Sequence, residues 1–259
     1  MQLPIYQIDA FTSEVFGGNP AAVCPLEYWL EDNILQKIAK ENNLSETAFF
    51  VDRGDFYQLR WFTPQIEVDL CGHATLASAF VIMNYLNPAL DKVVFGSQSG
   101  DLNVTKKDDL YSLDFPTHVP KPCEAPENLL RAMDIIPEEV FASNNYMLLY
   151  KTEADVRQVN PYMKLLKELD RMGVIVTAPG ENSDFVSRFF APAVGIPEDP
   201  VTGSAHCTLI PYWSKELNKR ELHAFQVSER GGEIFGVDNG DRVTIAGRAV
   251  KYLEGIITF

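Results

Sequence analysis

The same pattern is written into this chain twice, and nothing else in the sequence limits its fold as strongly. Arg60-Trp-Phe-Thr-Pro64 returns as Arg188-Phe-Phe-Ala-Pro192, each within an aromatic strand beginning at Phe56 or Phe185. Gly72-His-Ala74 opens one apolar run and Gly203-Ser-Ala205 opens another. Gly100-Asp-Leu-Asn-Val104 is answered by Gly232-Glu-Ile-Phe235. The three landmarks are separated by 128, 131 and 132 residues, about half of the 259. Near-constant spacing over ordered landmarks marks an internal duplication. The expected halves are 1–117, which the C-terminal strand could complete, and 118–259, joined through the prolines at 116, 120, 122 and 126. A small-molecule site is expected in a cleft between two such copies.

Charge narrows the ligand. A formal net charge of −14 is wrong for a polyanion, which needs a basic face, so nucleic acid is excluded as a partner class. The charge is compatible with a small anion, because backbone amides at a helix N-terminus bind anions without any cationic side chain. No run of about 18 apolar residues suggests a membrane span. Met1-Gln-Leu-Pro-Ile5 leads straight into a strand with no basic segment before it, which reads as a cytoplasmic protein without a signal peptide. Four cysteines (24, 71, 123 and 207) without CxxC spacing fit reduced thiols.

Alternating and helical periodicities predict strands over 3–11, 21–26, 44–51 and 57–62, and a helix over 31–42. Residues 74–85 are apolar almost all round, which predicts a helix buried on most sides. Strands follow at 93–97, 102–105 and 110–115. The second half adds short helices at 127–133 and 163–172 and strands at 146–150, 174–176 and 185–190. A second enveloped helix at 205–217 precedes strands at 225–227, 233–237, 242–245 and 252–259. Each half is thus several strands around one apolar helix that starts at a glycine, an α+β arrangement with neither GxGxxG nor GxxxxGK[ST].

The chemistry concentrates around those two helix starts. Gly72, Ala74, Gly203 and Ser204 place small residues where amides are unpaired and the helix dipole is positive, suited to a carboxylate or a developing enolate. Glu46 interrupts an apolar strand, where desolvation favours a proton-shuttling carboxyl group. Counting back equally from Arg60 and Arg188 gives Glu46 in one half and Val174 in the other, so a single acid serves the pair. His73 is a candidate second proton carrier, and Asp199 a candidate partner for a ligand amine. No HxxxH or related spacing supports a metal site from His73, His206, Glu46 and Asp199. Cys71, at a helix start, is an alternative nucleophile or base, but Thr202 at the matching place cannot act as a second thiol.

These motifs together resemble the PhzF-like family, named for an isomerase of phenazine biosynthesis and sharing the diaminopimelate epimerase fold. The resemblance rests on Asp9-Ala-Phe-Thr12, Gly18-Asn-Pro-Ala-Ala-Val23, Asn43-Leu-Ser-Glu-Thr-Ala-Phe49 and Arg60-Trp-Phe-Thr-Pro64. It continues through Leu70-Cys-Gly-His-Ala-Thr75, Glu198-Asp-Pro-Val-Thr-Gly-Ser-Ala205 and Arg230-Gly-Gly232, covering essentially the whole chain. It implies two pseudo-symmetric domains, each a curved sheet or barrel of strands around a central helix. It also implies a homodimer, no cofactor and no metal, with Glu46 moving a proton and His73 and Asp199 supporting it. The resemblance places substrate contacts at Gly72, Gly203 and Ser204. The expected activity is an isomerase acting on a small amino- or hydroxy-carboxylic acid. A Cys71-dependent epimerase or dehydratase, or a non-catalytic interaction protein, are the alternatives.

Overall fold

A computed structural model describes all residues from Met1 to Phe259 and separates them into two compact units. The first holds Met1–Asp114 together with Ala246–Phe259, and the second holds Phe115–Ile245.

In the first unit, β1 (Gln2–Ala10) and β2 (Asn19–Leu26) precede α1 (Asp32–Asn42), β3 (Glu46–Asp52), β4 (Tyr57–Phe62) and β5 (Glu67–Val68). Then come α2 (Gly72–Val81), β6 (Lys92–Ser97), β7 (Gly100–Lys107) and β8 (Leu110–Pro116). In the second, β9 (Lys121–Pro122) and α3 (Glu127–Ala132) lead to β10 (Glu139–Ala142), β11 (Tyr146–Leu149), α4 (Glu153–Gln158) and α5 (Met163–Leu166). β12 (Val174–Pro179), β13 (Phe185–Ala191), β14 (Ile196–Asp199), α6 (Gly203–Leu217), β15 (Glu221–Gln226) and β16 (Gly232–Asp238) complete it. The chain returns to the first unit within β17 (Arg242–Gly247) and ends in β18 (Ala249–Thr258). That last strand sits with the first unit because it runs antiparallel along the whole of β1, from Gln2↔Thr258 to Ala10↔Ala249.

Strand pairing repeats between the units. β1–β2 is antiparallel, β2–β3 parallel, β3–β4 antiparallel, β4–β6 parallel and β6–β7 antiparallel. In the second unit β10–β11, β11–β12, β12–β13, β13–β15 and β15–β16 follow the same alternation. The twin Arg-aromatic-Phe motifs lie on β4 and β13, and each arginine grips a glutamate through both nitrogens. Arg60 Nε meets Glu67 Oε1 at 2.7 Å, and Arg188 Nε meets Glu198 Oε1 at 2.7 Å. Such fork-to-fork pairs fix geometry as well as charge.

The sheet of the first unit is covered on both faces, which is why β3 is buried over six of its seven residues. One face takes the amphipathic α1, whose Leu35, Ile38 and Ala39 pack with Leu3, Cys24, Leu26, Phe49 and Phe62. α2 lies against β1, β2, β3 and β18 and is apolar all round because nearly every residue of it is buried. It continues into a π-helical turn at Ile82–Leu86, which overlaps the end of the span predicted as one regular helix. In the second unit α6 runs unbroken through Pro211, and Gly236 of β16 makes room for it, since a Cβ there would come within 2.7 Å of Ile210.

The ladders correct one detail of the repeat. Phe49 pairs with Arg60 and Val176 with Arg188, so the residue equivalent to Glu46 is Gly173, one before Val174. Gly173 has no room for any side chain: a Cβ would lie 2.3 Å from Cζ of Phe189. Gly173→Ala is therefore expected to cost about 1–3 kcal/mol through overpacking, read as a lowered midpoint in thermal unfolding. An unchanged midpoint would show that Phe189 can move aside.

Candidate active site

Three of the residues singled out from the sequence converge inside the first unit. Glu46 opens β3, anchored by parallel pairing of Glu46 with Ala21. Cys71 is the N-cap of α2, and His73 is the second residue of that helix. Glu46 is 8% exposed, His73 6% and Cys71 7%, so the cluster is nearly closed to bulk water. His73 Nε2 stands 3.2 Å from Glu46 Oε2, while its Nδ1 stands 3.5 Å from Cys71 Sγ. The imidazole is thus held between thiol and carboxylate. The contact to Glu46 is at ion-pair distance without hydrogen-bond alignment, so Oε2 has no aligned donor within the chain.

Electrostatics divide the roles. Burial disfavours a charged His73, but Cys71 and Glu46 beside it outweigh burial and raise its pKa well above the ordinary value. The Cys71 thiol is pushed up to about 11, first by burial and then by the negative charge of Glu46, with His73 opposing. A thiol at that value is protonated at neutral pH. Sulfur, imidazole nitrogen and carboxylate oxygen lie within 4.8 Å of one another, and these are the groups that would face a cation entering the cluster.

The N-terminus of α2 has no side-chain cap, as expected of an anion-receptive helix start. Gly72 and His73 supply the opening amides of the first turn.

Asp199, Gly203 and Ser204 belong to the second unit. Asp199 closes β14, and α6 begins four residues later behind Thr202, again with no side-chain cap. Asp199 and Gly203 are buried, whereas Ser204 is exposed. His206, weighed from sequence as a metal ligand, is completely buried in the same helix and donates from Nδ1 to the carbonyl of Thr202 at 2.8 Å. Gln226, fully buried on β15, also joins this region by bonding Asp199 and Thr202. Sequence reading passed it over, because one glutamine near a strand end carries no periodic or motif signal.

A duplicated α+β unit of strands around a buried helix defines an epimerase-type fold, with an acid, an imidazole and a thiol brought together beside one helix start. The chain belongs to the phenazine biosynthesis-like protein family, whose model matches residues 8–255. An uncharacterized isomerase of Pseudomonas aeruginosa is 49% identical over 257 residues, 99% of each chain. A PhzF-family protein of Enterococcus faecalis superposes with a TM-score of 0.98 at 49% identity, covering 100% of both chains. A hydroxyproline epimerase from Agrobacterium vitis shares the fold alone, with a TM-score of 0.62 at 9% identity over 99% of this chain and 92% of that one. No helix is long and apolar enough to cross a membrane.

Proposed function

We propose that the protein is a cofactor-independent isomerase that moves a proton on a small amino- or hydroxy-carboxylic acid. The observation that carries this reading is the buried Glu46 carboxylate, with an unaligned oxygen 3.2 Å from His73. Such a group can take a proton from carbon and return it elsewhere on the same molecule, because its burial keeps bulk water from competing for the proton. His73 fixes the carboxylate's orientation and supplies compensating positive charge. The electron pair left on the substrate delocalises toward its carboxylate, whose negative charge suits the amides that open α2 at Gly72 and His73; Gly203 and Ser204 offer donors of the same kind at the start of α6. Asp199 is assigned to hold the substrate's polar substituent. Names of full-length relatives support the isomerase class, the P. aeruginosa protein among them.

The test is proton–deuterium exchange in D₂O, followed by NMR across amino acids, hydroxy acids and dihydroaromatic acids, for wild type, Glu46→Gln and Cys71→Ala. Wild type is expected to exchange at least one member of the panel, and chelator dialysis is expected to leave the rate unchanged. Cys71→Ala is expected to retain exchange within about tenfold, since a protonated thiol contributes position rather than basicity. Exchange lost in Cys71→Ala but kept in Glu46→Gln would move the base to sulfur. Loss on chelation would add a cation to the mechanism.

A further inference from the structure

The second unit carries a buried acid, Asp199, at a position where the first unit has none. The twin ion pairs align Glu67 with Glu198, which places Asp199 opposite Val68 and Thr202 opposite Cys71. The ladders agree, since Val68 pairs with Trp61 and Asp199 with Phe189, the matching aromatics of the duplicated motif. Continuing the parallel ladders beyond Gln58↔Gly96 and Ser187↔Gln226, Gln226 falls at the position of Ser97. Valine, cysteine and serine in one unit are therefore aspartate, threonine and glutamine in the other.

In the second unit these three side chains form one connected network. Thr202 Oγ1 donates to Asp199 Oδ2. Gln226 Nε2 donates to the Asp199 carbonyl at 2.7 Å and to Thr202 Oγ1 at 3.2 Å, while its Oε1 accepts the Thr202 amide at 2.9 Å. His206 holds the Thr202 carbonyl from the other side. All of these groups are at least nine-tenths buried, with Gln226 and His206 fully so. A buried primary amide that satisfies three partners across a turn is costly to assemble and repays the cost only as a rigid unit. The first unit makes the same strand-to-helix turn with an apolar residue and an uncapped cysteine, so the backbone does not require this network.

We propose that Gln226 and Thr202 are positioning residues for Asp199. They lock the turn from 199 to 202 so that the carboxylate is presented in one orientation beside the first amides of α6. The proposal rests on the reading that Asp199 serves the substrate. Thr202 sets the carboxylate through its hydroxyl, and Gln226 sets the peptide that carries it.

The experiment compares Thr202→Val, Thr202→Ser and Gln226→Met with wild type in two measurements. One is the titration of the Asp199 carboxyl carbon by ¹³C NMR, assigned with Asp199→Asn. The other is kcat and KM for whichever panel acid exchanges. Removing the hydroxyl that donates to the charged carboxylate should raise the Asp199 titration midpoint by about one pH unit, and serine should restore it. kcat should fall about 10- to 100-fold in Thr202→Val and Gln226→Met with far-UV circular dichroism unchanged, as expected of a misplaced group. An Asp199 midpoint and kcat at wild-type values in folded Thr202→Val would overturn the proposal. If Gln226→Met does not fold, the threonine pair decides, since each of its variants differs by a methyl or a hydroxyl. Should Asp199→Asn keep full exchange, the assigned role of Asp199 fails, while the carboxyl titration still reports whether Thr202 holds it.

Discussion

Glu46→Gln is expected to reduce proton exchange by about 10²- to 10⁴-fold, or roughly 3–5 kcal/mol of transition-state stabilisation, with little change in folding. Glutamine preserves the shape of the side chain at the start of β3 and removes only the charge and the basic lone pair. Since Glu46 raises the proton affinity of His73, the same variant should lower the imidazole titration midpoint of His73, read by NMR on the folded protein. The two readouts are independent of each other. A fall in the His73 midpoint with exchange intact would leave the ion pair as architecture and place the base elsewhere. Loss of exchange with an unmoved His73 would mean that the imidazole takes its charge from another neighbour. At the equivalent place Gly173 and the Phe189 ring leave no space for an acid, so only one copy carries a buried carboxylate there.

The second large effect concerns stability and pH. His206 is fully buried, and burial pulls its pKa down to about 4, against the hydrogen bond to the Thr202 carbonyl that favours the proton. In the unfolded chain the ring titrates near 6.5. The folded state therefore prefers the neutral ring, and the unfolded state binds the extra proton between these two values. Stability is complete above about pH 6.5 and falls as pH drops, until both states are protonated near pH 4. At about 1.4 kcal/mol per pH unit the loss reaches about 3 kcal/mol. Urea unfolding of wild type and His206→Gln at pH 7 and pH 4.5 checks this, because carboxylate contributions cancel in the comparison. Wild type should lose about 2–3 kcal/mol more than the variant over that interval. Equal losses would mean that His206 is solvated or already charged in the folded protein.

Much of this was legible in the sequence, and the reasons are local. The two apolar helices announced themselves because they are buried on nearly every side, and their glycine starts gave the offsets that exposed the duplication. Glu46 stood out as an acid in an apolar strand. His73 and Cys71 stood out at a helix start. The short elements did not: β5 and β9 have two residues each, and α4 is six residues built on a Thr152–Asp155 capping box that was not read as one. The helix predicted over 163–172 stops at Leu166. The equivalence of Glu46 missed by one residue because counting along the chain cannot see strand register. Gln226 was invisible for a related reason. Its partners lie 24 and 27 residues away, and nothing but the folded turn brings them together.

The pairing of β1 with β18 sets an order on synthesis. The first strand made leaves the ribosome with one edge waiting for residues 249–258, which come after the whole of Phe115–Ile245. At about 5–20 residues per second, those intervening residues delay the partner strand by on the order of ten seconds. During that time Ile5 and Leu3 have no β18 to cover them, while the later unit already has every strand it needs. The unit that holds the first strand is thus closed by the last strand of the sequence.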